Sequence, residues 1–347
     1  MAKFIWFAPT TGDGSYLGNL KLWQPHDVHY ATNVCCMAEE GGMDGVLFPV
    51  GSNNLDPWIV ATNTATKTKR IELIVAARPD NQQPLVLAQL ARSLDQVSNG
   101  RTSINIVTGG FTNELKKYGD EVEDKEERYL RTEEFSELIV DLWTKDSVTK
   151  QGAYYSLESA AVVPKPTGQE RPKLYLSGNS ASALDISARF YDYYLFGGQK
   201  MENTIKMTQR LHEVSSQHTS AVRPAITFDV IARPTDAEAW ERAHDLVSKV
   251  SREQQIRLAL YKRAQSAKGN TMLEALEQAN YLLEEHVWAG LFQARFGASA
   301  CLVGSYEAIS DILQKYIEHG VEAFFVRGYP YKDELERFTT HVLPRVR

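Results

Sequence analysis

The chain has little cysteine, no concentration of positive charge and no long apolar run. Its 347 residues hold three cysteines, adjacent at Cys35-Cys36 and single at Cys301, which is no disulfide framework. Neighbouring helical residues point to different sides, so the pair is also a poor metal site; buried free thiols of a reducing compartment are the plainer reading. Eight histidines are scattered without HxH, HExxH or facial-triad spacing, so no metal is expected. A formal net charge of −6 with no basic arm gives no electrostatic reason to expect nucleic acid or an anionic membrane. The opening MAKFIWFAPTTGDGS passes from an apolar run into a polar turn, with no segment suited to a signal peptide or a membrane span. A cytoplasmic location is expected. Also missing is a GxGxxG at the first strand–helix turn, which weakens the case for a doubly wound dinucleotide-binding sheet.

What the chain does have is alternation, and 43% apolar content to bury. Short apolar runs at 4–8, 45–50, 71–77, 103–108, 174–178, 191–196, 226–232 and 323–327 read as strands. Helical patterns lie between them at 25–40, 56–66, 84–96, 127–143, 181–190, 201–218 and 236–250, then 306–319 and 332–342. Eight strands, each followed by a helix, predict an α/β fold: a (β/α)8 TIM barrel spanning 1–347 as a single domain. The spacing breaks once. Pro234 to Val303 is too long for one helix–strand unit, which predicts a largely helical insertion at about 251–300, between strands 7 and 8. Gln265–Asn270, with its Gly-Asn break, is expected to be its most flexible part.

Barrel enzymes do their chemistry at the C-terminal strand ends, so polar residues there are the candidates. The first strand ends at Thr10-Thr11-Gly12-Asp13, the second at Gly51-Ser52-Asn53-Asn54 and the third at Arg78. In Ser98–Tyr129 an apolar strand carries one amide, Asn105, and ends in Thr108-Gly109-Gly110; an acidic loop leads to a helix starting near Arg128-Tyr129. The fifth strand ends at Gly178-Asn179-Ser180, directly before a helix. Free N–H groups there can hold a phosphate, with Arg128 and Tyr129 adding a guanidinium and a phenol. An ordinary N-cap by Asn179 or Ser180, and pairing of Arg128 with the acidic run 121–127, are the alternatives. On the seventh strand Thr227, Asp229 and Ile231 share a face. If that face is the barrel interior, Asp229 is a carboxylate among apolar walls, a candidate acid, base or anchor, or a structural partner of a nearby arginine. Arg295 stands in an apolar setting suited to an anionic substrate, with a surface ion pair as the other reading. Tyr329 and Tyr331 follow the last strand, as aromatic walls or proton carriers.

Taken together, FIWFAPTTGDGSYLG, LDQVSNGRTSINIVTGG, ERYLRTEEF, LYLSGNSASA, VIARPTDAEAW, VWAGLFQARFGASACLVGS and VRGYPYKDE span nearly the whole chain. The chain resembles the reduced-flavin monooxygenases of the bacterial luciferase-like superfamily, nearest to the alkanesulfonate, dimethylsulfone and pyrimidine monooxygenases. The resemblance implies reduced FMN (FMNH2) delivered by a separate NAD(P)H:FMN reductase, O2 as co-substrate, and a homodimer or homotetramer. Carried over by position, Val50 and Ala77 would lie along the flavin ring, with Asn105 and Glu114 at its polar edge. Arg128, Tyr129, Gly178, Asn179 and Ser180 would hold the phosphate. Arg295 and Tyr329 fall where the sulfonate enzymes place an anion-binding arginine and an active-site tyrosine.

The likeness breaks at the substrate end. Thr11 stands where a histidine is usual and Asn54 where a cysteine is usual. Thr227 replaces an arginine, and Asp229 and Tyr331 replace histidines. Each lost cation–anion contact removes about 1.5–3 kcal/mol from binding of a simple sulfonate. Thr11, Asn54, Thr227 and Tyr331 are therefore read as substrate-binding, and Asp229, Arg295 and Tyr329 as catalytic. The expected activity is insertion of one oxygen atom into a small organic substrate, an organosulfonate or related organosulfur compound. A deazaflavin-dependent oxidoreductase and a flavin-binding protein without turnover are the alternatives.

Overall fold

Strand polarity and side-chain parity build the molecule. A computed structural model describes residues 1–109, 112–122, 124–165, 170–178, 180–218, 221–263, 276–295 and 300–347. Its strands are β1 (Lys3–Phe7), β2 (Gly45–Phe48), β3 (Glu72–Ala77), β4 (Thr102–Val107), β5 (Val148–Gln151), β6 (Ser156–Ala160) and β7 (Lys173–Ser177), then β8 (Tyr193–Gly197), β9 (Arg223–Arg233), β10 (Leu282–Glu284), β11 (Val287–Trp288), β12 (Cys301–Ser305) and β13 (Ala323–Arg327). Eight of them close a parallel ring in the order β1-β2-β3-β4-β7-β8-β9-β13 and back to β1. These are the eight runs expected from the sequence, so the (β/α)8 barrel stands.

Two features were not read from the sequence. β5 and β6 form a hairpin of their own, attached when Glu134 accepts the backbone N–H groups of Ala153, Tyr154 and Tyr155. β9, at eleven residues, outgrows its barrel neighbour. It pairs with β8 along 223–227 and, once β8 has ended, with β12 along 229–233. The described part of the insertion thus includes the helix Arg252–Arg263 and the short 3-10 helix Gly290–Gln293, together with short strands that reach β9 through β12. The flexible segment expected at 265–270 lies outside the described residues.

Alternate residues of each strand face opposite ways. Phe4 and Phe324 point outward and stack at 5.2 Å, and Phe4 and Trp6 both meet Phe338 of the closing helix. Phe7, Tyr175 and Phe325 point inward, and Phe7 and Tyr175 each meet Phe325 edge-on. Helix starts are fixed by side chains: Asp27, Asp56, Asp124, Ser180 and Ser305 each accept an N–H of the first turn, each cap contributing about 1 kcal/mol. Because Asp124 caps, the helix expected near Arg128 begins at Lys125. No helix among the described residues is long and apolar enough to cross a membrane.

The floor of the barrel, at the strand N-termini, is charged rather than apolar. Glu72 accepts from Lys3 Nζ at 2.6 Å, Ser103 Oγ at 2.6 Å and the Tyr175 hydroxyl at 3.0 Å. Burial alone would push its carboxyl up, but Lys3, Lys173 and these hydrogen bonds hold it below the usual glutamate value. A carboxyl lowered in the folded state adds stability above its unfolded pKa and loses it as pH falls through the folded value. The thermal midpoint of the protein should therefore drop more steeply below about pH 4.3 than that of Glu72→Gln. Equal acid slopes would exclude this role for Glu72.

Candidate functional site

Three groups of side chains gather at the C-terminal strand ends. The first forms where two helix starts meet. Helices Lys125–Thr144 and Ala181–Phe190 begin side by side, tied by Ser182 Oγ donating to Glu126 at 2.8 Å. Arg128 and Tyr129 lie buried in the first turns of the longer helix, and Arg128 donates to the Val122 carbonyl at 3.3 Å. Gly178 leads into the other helix, and Ser180 caps it by accepting from Ala183 N at 3.1 Å. A Cβ on Gly178 would fall 2.7 Å from Ala183 Cβ and 3.4 Å from the Tyr129 hydroxyl, so only glycine leaves that space open. The buried Tyr194 hydroxyl, beside Tyr129, has no hydrogen-bond partner among the described residues. A guanidinium, phenols, a helix-capping serine and a helix N-terminus fit a phosphate monoester. Asn179 lies outside the described residues.

The second group lines a cavity of about 490 Å³ above β2 and β3. Val50, Asn54, Trp58, Ala77 and Tyr118 form its walls. Asn54 Nδ2 donates to Thr10 Oγ1 at 2.7 Å, and Arg78, paired with Asp80 at 2.5 Å, lies over the Tyr118 ring. Asn105 on β4 sits next in the ring: it is level with Ala76 of β3, and its Oδ1 accepts from Ser177 Oγ of β7 at 2.9 Å. Neighbouring strands are about 4.8 Å apart, so the cavity, Asn105 and the Gly178 cradle follow one another along a single arc of the mouth. Glu114 is held at the rim instead of standing free. Ser52 N donates to it at 2.6 Å and Ser52 Oγ at 3.0 Å, and Lys117 lies at 3.2 Å. Burial opposes, but these contacts hold its carboxyl below the usual value.

The third group faces the first two across the barrel. Asp229 is 1% exposed and points inward, as its parity predicts. Its oxygens take Arg295 Nη2 at 2.6 Å and Arg327 Nε at 2.8 Å. Burial opposes the Arg327 charge, but Asp229 beside it holds the guanidinium well above its usual value. Arg295 Nε is buried without a partner among the described residues, and its guanidinium lies 5.7 Å from the Tyr329 ring centre. Tyr329 in turn touches Trp23 at 5.9 Å and Tyr331 at 5.1 Å. Arg242 fixes this loop by donating to the carbonyls of Tyr329 at 2.9 Å and Ser15 at 2.8 Å. Tyr331 is buried and its phenol pushed well up by burial, while its N–H donates to both oxygens of Asp13 at 2.9 Å. Burial likewise pushes the Asp13 carboxyl up, against hydrogen bonds from Tyr30, Tyr331 and Gly14. Thr227 Oγ1 is buried and has no partner among the described residues; it is level with Gly197, where a Cβ would meet none of them within 4 Å. Thr11 is half-buried in the turn after β1.

The sequence candidates therefore separate into a cradle, a cavity wall and a charged cluster. One of them changes character: with both oxygens held by guanidiniums, Asp229 anchors arginines and is not a free carboxylate among apolar walls. Arg327 was not singled out, although the signal was present. It shares parity with inward-facing Phe325 and is level with Asp229 on the neighbouring strand. Trp58, Tyr194 and Arg242 carried no signal in the sequence. No group of three metal-ligating side chains exists among the described residues.

Residues 1–323 match the family model described as luciferase-like monooxygenase. Among solved structures the chain is similar to EDTA monooxygenase (EmoA) from Chelativorans sp. BNC1, with a TM-score of 0.81 at 17% identity, covering 99% of this chain and 93% of that one. It is similar to DmoA from Hyphomicrobium sulfonivorans, with a TM-score of 0.79 at 18% identity, covering 99% and 87%. It is also similar to the coenzyme F420-dependent tetrahydromethanopterin reductase from Methanopyrus kandleri, with a TM-score of 0.73 at 15% identity, covering 100% and 99%. At such identities the likeness speaks for the fold.

Removing one partner of a buried ion pair costs about 3–5 kcal/mol, because the other charge is left uncompensated. Asp229→Ala strands two guanidiniums, whereas Arg295→Ala leaves Asp229 paired with Arg327. Urea unfolding should show the first variant losing more stability than the second by at least about 1 kcal/mol. The reverse order would mean that the cluster is not held together by Asp229.

Proposed function

Because this chain belongs to the luciferase-like monooxygenase family, we propose that it is the oxygenase of a two-component system that uses reduced FMN and O2 to oxygenate a small organic substrate. A separate NAD(P)H:FMN reductase supplies the reduced flavin, and the oxygenase works as a homodimer or homotetramer. The observation that carries this reading is the arc formed by the Gly178 cradle, Asn105 and the cavity walled by Val50 and Ala77. That arc can seat a phosphate at one end and a flat ring at the other. Bound there, the reduced flavin supplies the electron pair that activates O2.

The chain's own groups do the rest. Arg128, Tyr129 and Ser180 hold the phosphate, and Asn179, outside the described residues, is assigned to the same role by its place in the sequence. Asn105 orients the polar edge of the ring, and Glu114 acts with Ser52 at the rim. Arg295 receives an anionic substrate group, with its Nε unpaired among the described residues. Asp229 positions Arg295 and Arg327, and Tyr329, packed under Arg295, is placed to pass a proton to or from the bound substrate. Thr11, Asn54, Thr227 and Tyr331 shape the remaining walls. Two guanidiniums against one carboxylate leave one net positive charge in this cluster. A singly charged organosulfonate or related organosulfur compound suits that balance, which supports a reading near the alkanesulfonate monooxygenases.

A deazaflavin-dependent oxidoreductase is the second reading, favoured by the likeness to the F420-dependent reductase. Fluorescence titration with FMN and F420 separates the two. The test of the first is a substrate screen that reads sulfite and oxygenated products together. Product should require FMN, a reductase, NAD(P)H and O2; equal turnover under nitrogen overturns the proposal, and stable FMN binding without any turnover marks a non-catalytic binder. With an anionic substrate, Arg295→Ala should raise KM by about tenfold or more, the loss of one charge-assisted contact, with a smaller change in kcat.

A further inference from the structure

The ring of Tyr329 meets two partners from distant parts of the chain: the Trp23 ring at 5.9 Å and the Arg295 guanidinium at 5.7 Å. One residue, Asp13, is tied both to the segment that carries Trp23 and to the segment that carries Tyr329. Its backbone grips the first, donating its N–H to the Gln24 carbonyl at 3.2 Å and accepting the Gln24 N–H at 2.6 Å. The next residue, Gly14, leaves room for the indole, since a Cβ there would fall 2.5 Å from Trp23 Cδ1. Its side chain grips the second: the Tyr331 N–H donates to both carboxylate oxygens, each at 2.9 Å. Oδ1 also accepts the Gly14 N–H at 2.8 Å, and Oδ2 accepts the Tyr30 hydroxyl. Asp13 is 3% exposed, and every one of these side-chain partners is a neutral donor.

We propose that Asp13 is a positioning residue for Tyr329: it clasps the turn after β1 to the turn after β13, and so fixes the phenol beside Trp23 and Arg295. Its relevance to turnover rests on the proposed oxygenation, in which Tyr329 carries a proton. A phenol exchanges a proton only at hydrogen-bonding distance, so a small drift of its turn costs rate while the barrel stays folded. Arg242 steadies the same two turns at another point, by bridging the Ser15 and Tyr329 carbonyls at 2.8 and 2.9 Å. The Asp13 clasp works by accepting hydrogen bonds and not by charge. No lysine or arginine pairs with it among the described residues, and burial pushes its carboxyl up. An asparagine in its place therefore suffices. Its Oδ1 keeps the Gly14 and Tyr331 N–H groups, and the Tyr30 hydroxyl, able to accept as well as donate, turns to take Nδ2. Alanine offers no acceptor to either segment.

Two readouts on the intact protein test this, both taken well below the thermal midpoint of each variant. The first is the near-ultraviolet circular dichroism of Trp23, isolated from the other five of the six tryptophans by subtracting the spectrum of Trp23→Phe in the same background. It reports the packing of the indole on the Tyr329 ring. Asp13→Ala should lose most of its amplitude, and Asp13→Asn should keep most of it. The second is hydrogen exchange of a peptide spanning the Tyr331 amide. Asp13→Ala should exchange about tenfold faster or more, the loss of one buried hydrogen bond, and Asp13→Asn should stay within about threefold of wild type. If Asp13→Ala does not fold, Asp13→Ser takes its place, because its hydroxyl falls one bond short of Tyr331. An unchanged Trp23 signal in the folded alanine or serine variant overturns the proposal. So does an asparagine variant that loses as much as alanine, which would make charge and not acceptance the basis of the clasp. Neither readout uses flavin, O2 or substrate, so failure here is distinct from failure of the proposed oxygenation.

Discussion

One carboxylate holds the substrate side of the molecule together. Asp229 lies where β9 leaves β8 and turns to β12, so its backbone is shared between barrel and insertion. Its side chain repeats that division. Arg327 comes from the last barrel strand and Arg295 from the segment just before β12. An ion pair of this kind in water contributes little, but here the charges are withdrawn from solvent, and leaving any of them alone costs several kcal/mol. Docked through β12, the insertion brings Arg295 to Asp229, and that arrangement sets the guanidinium beside Tyr329. Geometry at the mouth is thus a consequence of charge satisfaction.

The two ends of the barrel use charge differently. At the floor, Glu72 is saturated by Lys3, Ser103 and Tyr175, and Arg101 spends its guanidinium on the carbonyls of Ala65, Thr68, Ile71 and Ser98. Those contacts lock strand starts and turns. At the mouth, polar groups are left incomplete: Thr227 Oγ1, Tyr194 OH and Arg295 Nε lack partners among the described residues. Unpartnered buried groups cost stability, each by about 1–3 kcal/mol, and a fold tolerates them where a ligand completes them. The contrast matches the division in this architecture between a stabilising N-terminal face and a chemical C-terminal face.

The barrel was legible because all eight of its strands are short apolar runs with helical patterns between them, and closure then follows from right-handed parallel connections. Asp229 was legible because strand parity is strict: a carboxylate two residues from Thr227 in an apolar run must face the interior with it. Its partners needed register, which no single strand carries; Arg327 is level with Asp229 only once β13 has been placed beside β9. β12 was missed because CLVGS sits at the end of a stretch whose earlier residues read as helical. The β5–β6 hairpin was missed because its mostly exposed, polar residues pair only with each other. The cradle was legible in part. Gly178 and Ser180 announced a helix start, but the pairing of that start with Arg128 and Tyr129 depends on two helices docking side by side.

The departures from the sulfonate pattern acquire a physical sense once Arg327 is included. Exchanging an arginine for Thr227 removes a cation, and exchanging a histidine for Asp229 adds an anion; on sequence alone both changes turn the pocket against an anionic substrate. The structure shows that Asp229 does not face the open space at Thr227 as a bare charge, because Arg295 and Arg327 enclose it. Thr227 presents a hydroxyl with no partner among the described residues, level with Gly197. The cations of the mouth, Arg295 and Arg327, lie on the Tyr329 side of Asp229, and the wall at Thr227 and Gly197 is small and weakly polar. In the proposed oxygenation, a substrate that fits both places carries its charge at one end and a bulkier neutral body at the other.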